Sequence, residues 1–310
     1  MLITGKQFYR REGDTVAVLS GKRVGLLLLL LVLCLIFWLG SVWVRIYDRP
    51  PAEDMPAGDG TITNVLIVGI DQREDEPSRA DTIIILSINE ANGDTALVSV
   101  PRDSRVEIPG RGLDKINHAM QFGGIALLRR TVATLLDVPL EHYLYTNFTG
   151  FASIVDAVGG VEIDVERPVP VPGGPALKAG PRLLNGREAL AYVRFRSDAE
   201  GDFGRMRRQR QVLTAIGRRL LQPETLPRLP VLLEQCARHV RTDMTPLQLA
   251  KVGRTVRDLD LEQMPTVTLR GEVATIDGIS YVLLNEAFLR ETVRRFLRWE
   301  SPSSGTFRAI

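Results

Sequence analysis

The chain has 310 residues, with 39 Lys and Arg against 37 Asp and Glu and a formal net charge of +2. Such a balance excludes general adhesion to a polyanion and makes any local cluster of one sign informative. Two cysteines without a CxxC pair and three histidines without an HExxH pair leave a disulfide-stapled fold, zinc chemistry and a His-based triad without support.

Lys6, Arg10, Arg11, Lys22 and Arg23 precede a run of twenty-one uncharged residues, Val24–Val44. A helix of that length is about 30 Å long, enough to cross the hydrocarbon core of a bilayer. A cleaved signal peptide competes with this reading, but the apolar run is too long and no small-x-small site follows it. The expectation is one retained transmembrane signal anchor over 24–44, with Trp38 and Trp43 suiting the far interface. Only Arg45 and Arg49 follow closely, so the positive-inside rule puts residues 1–23 in the cytoplasm and the rest of the chain outside. Residues 45–61 read as a linker, rich in Pro, Gly and acid from Pro50 to Gly60.

A fully buried strand is expected over Asn64–Ile70, ended by Asp71, followed by strands over Thr82–Ile88 and Thr95–Val100. Asn92-Gly93 between the last two is a hairpin signal. Helical patterns cover Ile125–Leu136 and Phe148–Val158, the latter closed by Gly159-Gly160 before an alternating strand, Val161–Val165. A Pro/Gly-rich loop, Pro168–Pro181, precedes a short helix, Leu184–Ala191. From Pro223 the pattern turns to helices over Leu226–Val240 and Pro246–Leu259, strands over Thr266–Arg270 and Val273–Ile276, and an amphipathic helix over Glu286–Trp299. Residues 223–300 read as an α/β extension packed on a domain of 62–222, and 301–310 as a disordered tail. The fold class expected is α/β, a mixed central sheet sandwiched between helices, preceded by the transmembrane helix.

Six arginines fall between Arg194 and Arg210: Arg194, Arg196, Arg205, Arg207, Arg208 and Arg210. As a strand, Tyr192–Arg196 would put Arg194 and Arg196 on one face. A helix starting near Phe203 would group Arg205 with Arg208, Gln209 and Val212 and turn Arg207 and Arg210 toward solvent. That helix holds no acid before Gln222, so its arginines cannot pair among themselves. Guanidinium forks near a helix N-terminus match phosphate oxygens.

If the second strand runs antiparallel to its neighbours, Asp71, Arg79, Asp81, Arg102 and Asp103 gather at one sheet edge. Hard carboxylate oxygens without His or thiolate suit Mg²⁺ or Mn²⁺. A divalent ion shared between aspartates and a diphosphate is an arrangement for phosphoryl transfer.

Asp71 after VLIVGI, RADT at 79–82, LVSVPRD at 97–103, DKINHA at 114–119, GGVEIDV at 159–165, LNGREALAYVRFR at 184–196 and GDFGRMRRQRQ at 201–211 resemble, in order, the blocks of the LytR-CpsA-Psr family. The resemblance covers about residues 62–222, with RADT in place of the commoner RSDT. It implies a membrane-anchored transferase that moves a cell-wall glycopolymer (teichoic acid, capsular or related polysaccharide) from polyprenyl diphosphate to peptidoglycan as a phosphodiester. It implies Asp71 and Asp81 as ligands of Mg²⁺ or Mn²⁺, with Asp71, Asp81, Arg102 and Asp103 as the catalytic set. Arg79, Arg102, Lys115, Arg194, Arg196, Arg205 and Gln209 would bind the diphosphate, and His118 reads as structural. Phe122, Leu127, Leu128, Val132, Leu135, Phe148, Phe151 and Ile154 are the candidates for a tunnel around the lipid, and equally for an ordinary core. Two rival readings stay open: a receptor that holds a lipid-linked polymer without turnover, and a membrane-bound attenuator of transcription. The second needs a cytoplasmic DNA-binding part, and residues 1–23 hold no helix-turn-helix, so no nucleic-acid partner is expected.

Overall fold

The computed structural model describes residues 21–48, 58, 60–73, 76–196, 201–257 and 263–300, with side chains described there except at 21–32, 35, 72–77, 202 and 256. Most of residues 1–23, most of residues 45–61, and the segments 197–200 and 301–310, read from the sequence as tail, linker, turn and disordered end, lie outside the described residues. The chain divides into two units, Met1–Ser41 and Val42–Ile310.

A first helix, α1, covers Gly21–Ile46. Among the described residues no helix is long and apolar enough to cross a membrane; much of the run read as a span lies among the side chains outside that set.

The second unit continues through β1 (Ile62–Arg73), β2 (Glu76–Asn89), β3 (Thr95–Ser99), β4 (Arg105–Ile108), β5 (Gly112–Lys115), α2 (His118–Leu136) and β6 (His142–Asn147). Then come α3 (Phe148–Ala157), β7 (Val161–Val165), β8 (Gly180–Leu184), α4 (Gly186–Arg194) and α5 (Gly201–Leu220). A 3₁₀ turn at Pro223–Arg228 leads to α6 (Leu229–His239), β9 (Val240–Thr242) and α7 (Pro246–Arg257). The chain closes with β10 (Thr266–Thr268), β11 (Gly271–Ile276), β12 (Ile279–Leu284) and α8 (Glu286–Phe296).

Six strands form one mixed sheet in the order β10-β3-β2-β1-β6-β9. β2 is antiparallel to both β1 and β3, whereas β6 is parallel to β1 and β10 parallel to β3. The β2–β3 connection turns at Asn92-Gly93, where Gly93 has φ +79°, the left-handed backbone this turn requires. Two strands from the segment read as an extension, β9 and β10, supply the two edges of this sheet. That segment also sends Val293 of α8 into the main core, so it is continuous with the rest of the domain.

Alternation along the strands sorts the apolar side chains onto two faces. One face carries Leu66, Val68 and Ile70 of β1 with Ile83 and Ile85 of β2, packed against Leu128, Val132 and Leu136 of α2 and Val293 of α8. The other face carries Val65, Ile84, Leu86 and Leu97, with Ile67, Leu144 and Leu213 of α5 packed alongside. Helices cover both faces, the three-layer arrangement expected of such a sheet.

One expected element is overturned. Tyr192–Arg196 is not a strand, because α4 runs through Arg194. Asn185 and Glu188 form a capping box at its start, and Ala189, Tyr192 and Val193 bury one helical face at i, i+3 and i+4 spacing. The alternation at Tyr192–Arg196 is an accident of three polar residues falling two apart.

Candidate functional site

A cavity of about 760 Å³ lies between the second sheet face and helices α3, α4, α5 and α6. It runs along the strands. At one end Ile67 pairs with Ile84, and four residues further along β1 Asp71 pairs with Arg79. At 3.3 Å per residue the two ends are about 13 Å apart. α5 repeats the gradient, presenting Arg205, Gln209, Leu213 and Ile216 to the cavity at i, i+4, i+8 and i+11. Gly69 sits midway on β1 and its missing side chain keeps the floor open: a Cβ there would meet the Thr82 side chain at 3.1 Å.

The polar end gathers residues distant in sequence. Asp71, Arg79 and Asp81 come from the β1–β2 pair, and Arg102 and Asp103 from the turn after β3. Lys115 ends β5, while Arg194 ends α4 and Arg196 follows it; Arg205 and Gln209 come from α5. All ten polar residues read from the sequence therefore line one cavity. Arg102 Nη1 donates to Asp81 Oδ1 at 2.5 Å, and its Nε lies 3.5 Å from Asp103 Oδ2. Lys115 Nζ donates to Asp103 Oδ1 at 2.9 Å. Arg205 is 2 % exposed, and its Nη2 lies 3.5 Å from the Asp81 carbonyl. The Arg194 guanidinium stands 4.7 Å from the centre of the Phe148 ring, where the chemistry of the wall changes from polar to apolar.

Among the described residues no three His, Cys, Asp or Glu side chains cluster into a self-sufficient metal cage. Two carboxylates do fit a Mg²⁺ ion of the kind that keeps waters and is completed by substrate phosphates. Asp71 and Asp81 line the same cavity wall, and the arginine engages Oδ1 of Asp81.

Three of the eight tunnel candidates, Phe148, Phe151 and Ile154 of α3, line the cavity. Leu127, Leu128, Val132 and Leu135 do not, because α2 covers the opposite sheet face and spends them on the main core. Phe122 is 37 % exposed and its ring stands edge-on to His118 at 5.9 Å. The apolar wall is instead built from Ile67, Ile84, Leu144, Val193, Leu213, Ile216, Cys236 and Val240. Burial pushes the Cys236 thiol up to about 11, which makes it an inert wall residue. The i, i+4, i+8, i+11 run on α5 was the signal that could have found part of this wall.

The remaining arginines of the cluster have structural work. Arg208 is 1 % exposed, donates to the Phe195 carbonyl at 2.9 Å and faces the Tyr192 and Phe195 rings. Burial lowers its pKa below the usual arginine value. Arg207 pairs with Glu166 of the β7–β8 connection. Arg210 is not solvated as expected: it bonds the Thr268 hydroxyl of the edge strand, and burial, with Arg207 nearby, brings it down to about 10. Sequence spacing could not reveal that β10 comes back to lie beside α5.

Two further residues line the polar end. Asn117 is 4 % exposed, makes no capping bond to α2, and leaves its Oδ1 without a partner. His118 Nδ1 lies 2.9 Å from Asp114 Oδ2. Burial works against ionisation of Asp114, but the hydrogen bonds from His118 and the Lys115 backbone N–H outweigh it and hold the carboxyl below its usual range.

Comparison with known proteins identifies the family of the chain. The family model described as "LytR_cpsA_psr family" matches residues 50–296, so the match includes the segment after residue 222. The chain is 37 % identical over 241 residues to the polyisoprenyl-teichoic acid–peptidoglycan teichoic acid transferase TagU of Halalkalibacterium halodurans, covering 76 % of this chain and 78 % of that one. It is 34 % identical over 243 residues to the TagU of Bacillus cereus, covering 77 % and 79 %. Among solved structures, TagT bound to LI-WTA superposes with a TM-score of 0.68 at 26 % identity, covering 81 % of this chain and 98 % of that one. The family protein YwtF (TagT) with bound octaprenyl pyrophosphate lipid superposes with a TM-score of 0.63, also at 26 % identity and with the same two coverages. With a family match over most of its length and a relative above 30 % identity, the chain belongs to the LytR-CpsA-Psr family.

Proposed function

We propose that this protein is a membrane-anchored phosphotransferase, facing outward, that moves a cell-wall glycopolymer from a polyprenyl diphosphate carrier onto peptidoglycan. The observation that carries this reading is the two-ended cavity. Paired carboxylates and arginines stand at one end and an apolar wall at the other, which matches a ligand with a charged diphosphate and a long hydrocarbon tail. The transferase relatives and the solved neighbour holding octaprenyl pyrophosphate support the same donor class.

Residues 24–44 serve as the signal anchor. Leu33, Ile36, Phe37 and Leu39 of α1 are exposed, Phe37 to 80 %, as a lipid-facing helix requires. The positively charged residues before the span put the catalytic domain on the cell exterior, which leaves nucleic acid no role as a partner.

The arginines bind and orient the diphosphate through charge-assisted hydrogen bonds. Arg102 is itself held by Asp81, so its guanidinium is pre-set rather than recruited. Preorganised cations of this kind stabilise the charge that grows on the leaving phosphate. Asp71 and Asp81 would hold Mg²⁺ (or Mn²⁺), which when bound supplies Lewis-acid stabilisation of phosphate charge. The apolar wall seats the polyprenyl chain, and the glycan end is left toward the polar mouth. A sugar hydroxyl of peptidoglycan then displaces polyprenyl phosphate and forms the phosphodiester.

The full-length protein in detergent, given a polyprenyl-diphosphate-linked teichoic acid precursor and peptidoglycan, is expected to release polyprenyl phosphate and to stop when divalent metal is chelated. Tight donor binding with no turnover under any metal condition would overturn the transferase reading in favour of a receptor.

A further inference from the structure

A sugar hydroxyl that attacks phosphorus must give up its proton, and the carboxylates at the polar end are poorly suited to take it. Asp81 accepts from Arg102 at 2.5 Å, and Asp103 is held by Lys115 at 2.9 Å. Those oxygens are already engaged by cationic donors, which leaves them badly placed to receive the hydroxyl proton. Asp71, with Asp81, would hold the metal. Cys236 lies at the apolar end. Among the described residues that line the cavity, His118 remains, with a ring nitrogen that can offer a lone pair.

Three observations place it for that task. First, its Nδ1 lies 2.9 Å from Asp114 Oδ2, so Nδ1 carries the hydrogen and Nε2, on the other side of the ring, presents a lone pair. Asp114 is held in its charged form, as an orienting partner must be. Second, the start of α2 is stitched to the phosphate end, because the Asn117 backbone N–H donates to the Arg102 carbonyl at 3.2 Å. Third, the neighbouring Asn117 side chain is buried and leaves its Oδ1 unpaired on the same wall. A buried amide atom without a partner is costly and marks where a polar ligand group completes the site.

We propose that His118 is the general base for the acceptor hydroxyl, with Asp114 as its positioning residue; this rests on the transferase reading above. Nε2 takes the hydroxyl proton as the hydroxyl oxygen bonds to the glycan-side phosphorus. The bond from that phosphorus to the bridging oxygen breaks, and its electron pair leaves with polyprenyl phosphate. The imidazolium then returns its proton to water. Of the charged groups, Asp114 bonds the ring, Lys115, Arg102 and Asp103 line the same cavity, and Arg111 stacks on the Phe122 ring that meets it edge-on. Because only the neutral imidazole accepts a proton, the transfer profile is expected to carry an acid limb that belongs to His118 and to level off above it.

The test uses the full chain with a polyprenyl-diphosphate-linked glycan and peptidoglycan, and measures transfer across pH alongside donor affinity. His118→Gln is expected to lower kcat by about 10²–10⁴-fold, to leave donor Kd within about twofold, and to abolish the acid limb of the profile. His118→Ala is expected to regain at least about tenfold when free imidazole is added, a gain that a merely structural side chain would not show. Asp114→Asn should keep the acid limb and lose part of kcat. Wild-type kcat in His118→Gln, or a persisting acid limb in that variant, would overturn the assignment while leaving the transferase reading intact. Failure of imidazole to rescue a His118→Ala variant that still binds donor would do the same. Absence of transfer by the wild-type protein would instead defeat the transferase reading itself.

Discussion

The two faces of the central sheet are written in the same alphabet and do opposite things. Leu66, Val68 and Ile70 on one face and Val65 and Ile67 on the other alternate along the same strand. Beneath α2 the first set is sealed, with Leu66 and Leu128 fully buried. On the other face α5 turns a graded stripe toward the sheet, arginine and glutamine first and leucine and isoleucine after, and the layer stays open around a cavity. What makes a site here is the covering helix. Strand alternation supplies two apolar surfaces, and the composition of the helix laid on each decides whether it becomes core or binding wall.

That contrast can be broken at graded depth. The largest effect is expected at the polar end of the open face, where Arg102→Ala or Asp71→Ala should lower transfer by at least about 10²-fold in steady-state assays. Circular dichroism should show the fold unchanged, since both side chains stand at the cavity rather than in a sealed core. On the sealed face the sign reverses. Leu128→Ala should cost about 2–5 kcal/mol in denaturant unfolding while donor affinity in the folded protein stays the same. A smaller effect is expected at the apolar end of the cavity: Ile216→Trp fills space meant for lipid, and should weaken octaprenyl diphosphate binding by about tenfold with little loss of stability. The smallest separates two arginines of one helix. Arg210→Ala, losing a buried bond to Thr268, should cost about 1–2 kcal/mol, whereas Arg207→Ala, losing a half-exposed pair with Glu166, should cost about 0–1 kcal/mol in the same unfolding measurement.

Much of the polar site was legible because its residues follow or precede strong strand signals. Asp71, Asp81 and Arg102 flank buried apolar β-runs, and an antiparallel middle strand brings those flanks to one edge, although the β1–β2 ladder continues past Asp71 to the Arg73–Glu76 pair. The lipid wall was half legible. α3 follows β6 directly and is carried onto the open face, so Phe148, Phe151 and Ile154 were found. The amphipathic α2 comes after the β4–β5 hairpin and lands on the other side, a choice that periodicity does not encode. Tyr192–Arg196 misled because alternation over five residues is weaker evidence than a capping box beginning at Asn185. Arg210 and His118 depended on partners, Thr268 and Asp114, that only the folded chain supplies as neighbours at the right distance.

The most direct test is mass spectrometry of lipid that copurifies with the full-length protein from its own membranes. A polyprenyl phosphate or diphosphate, present in wild type and depleted in Ile216→Trp, is the expected result. Wild-type protein that retains no polyprenyl species, even when octaprenyl diphosphate is supplied in excess, would contradict the assignment of the open face as the seat of a lipid diphosphate.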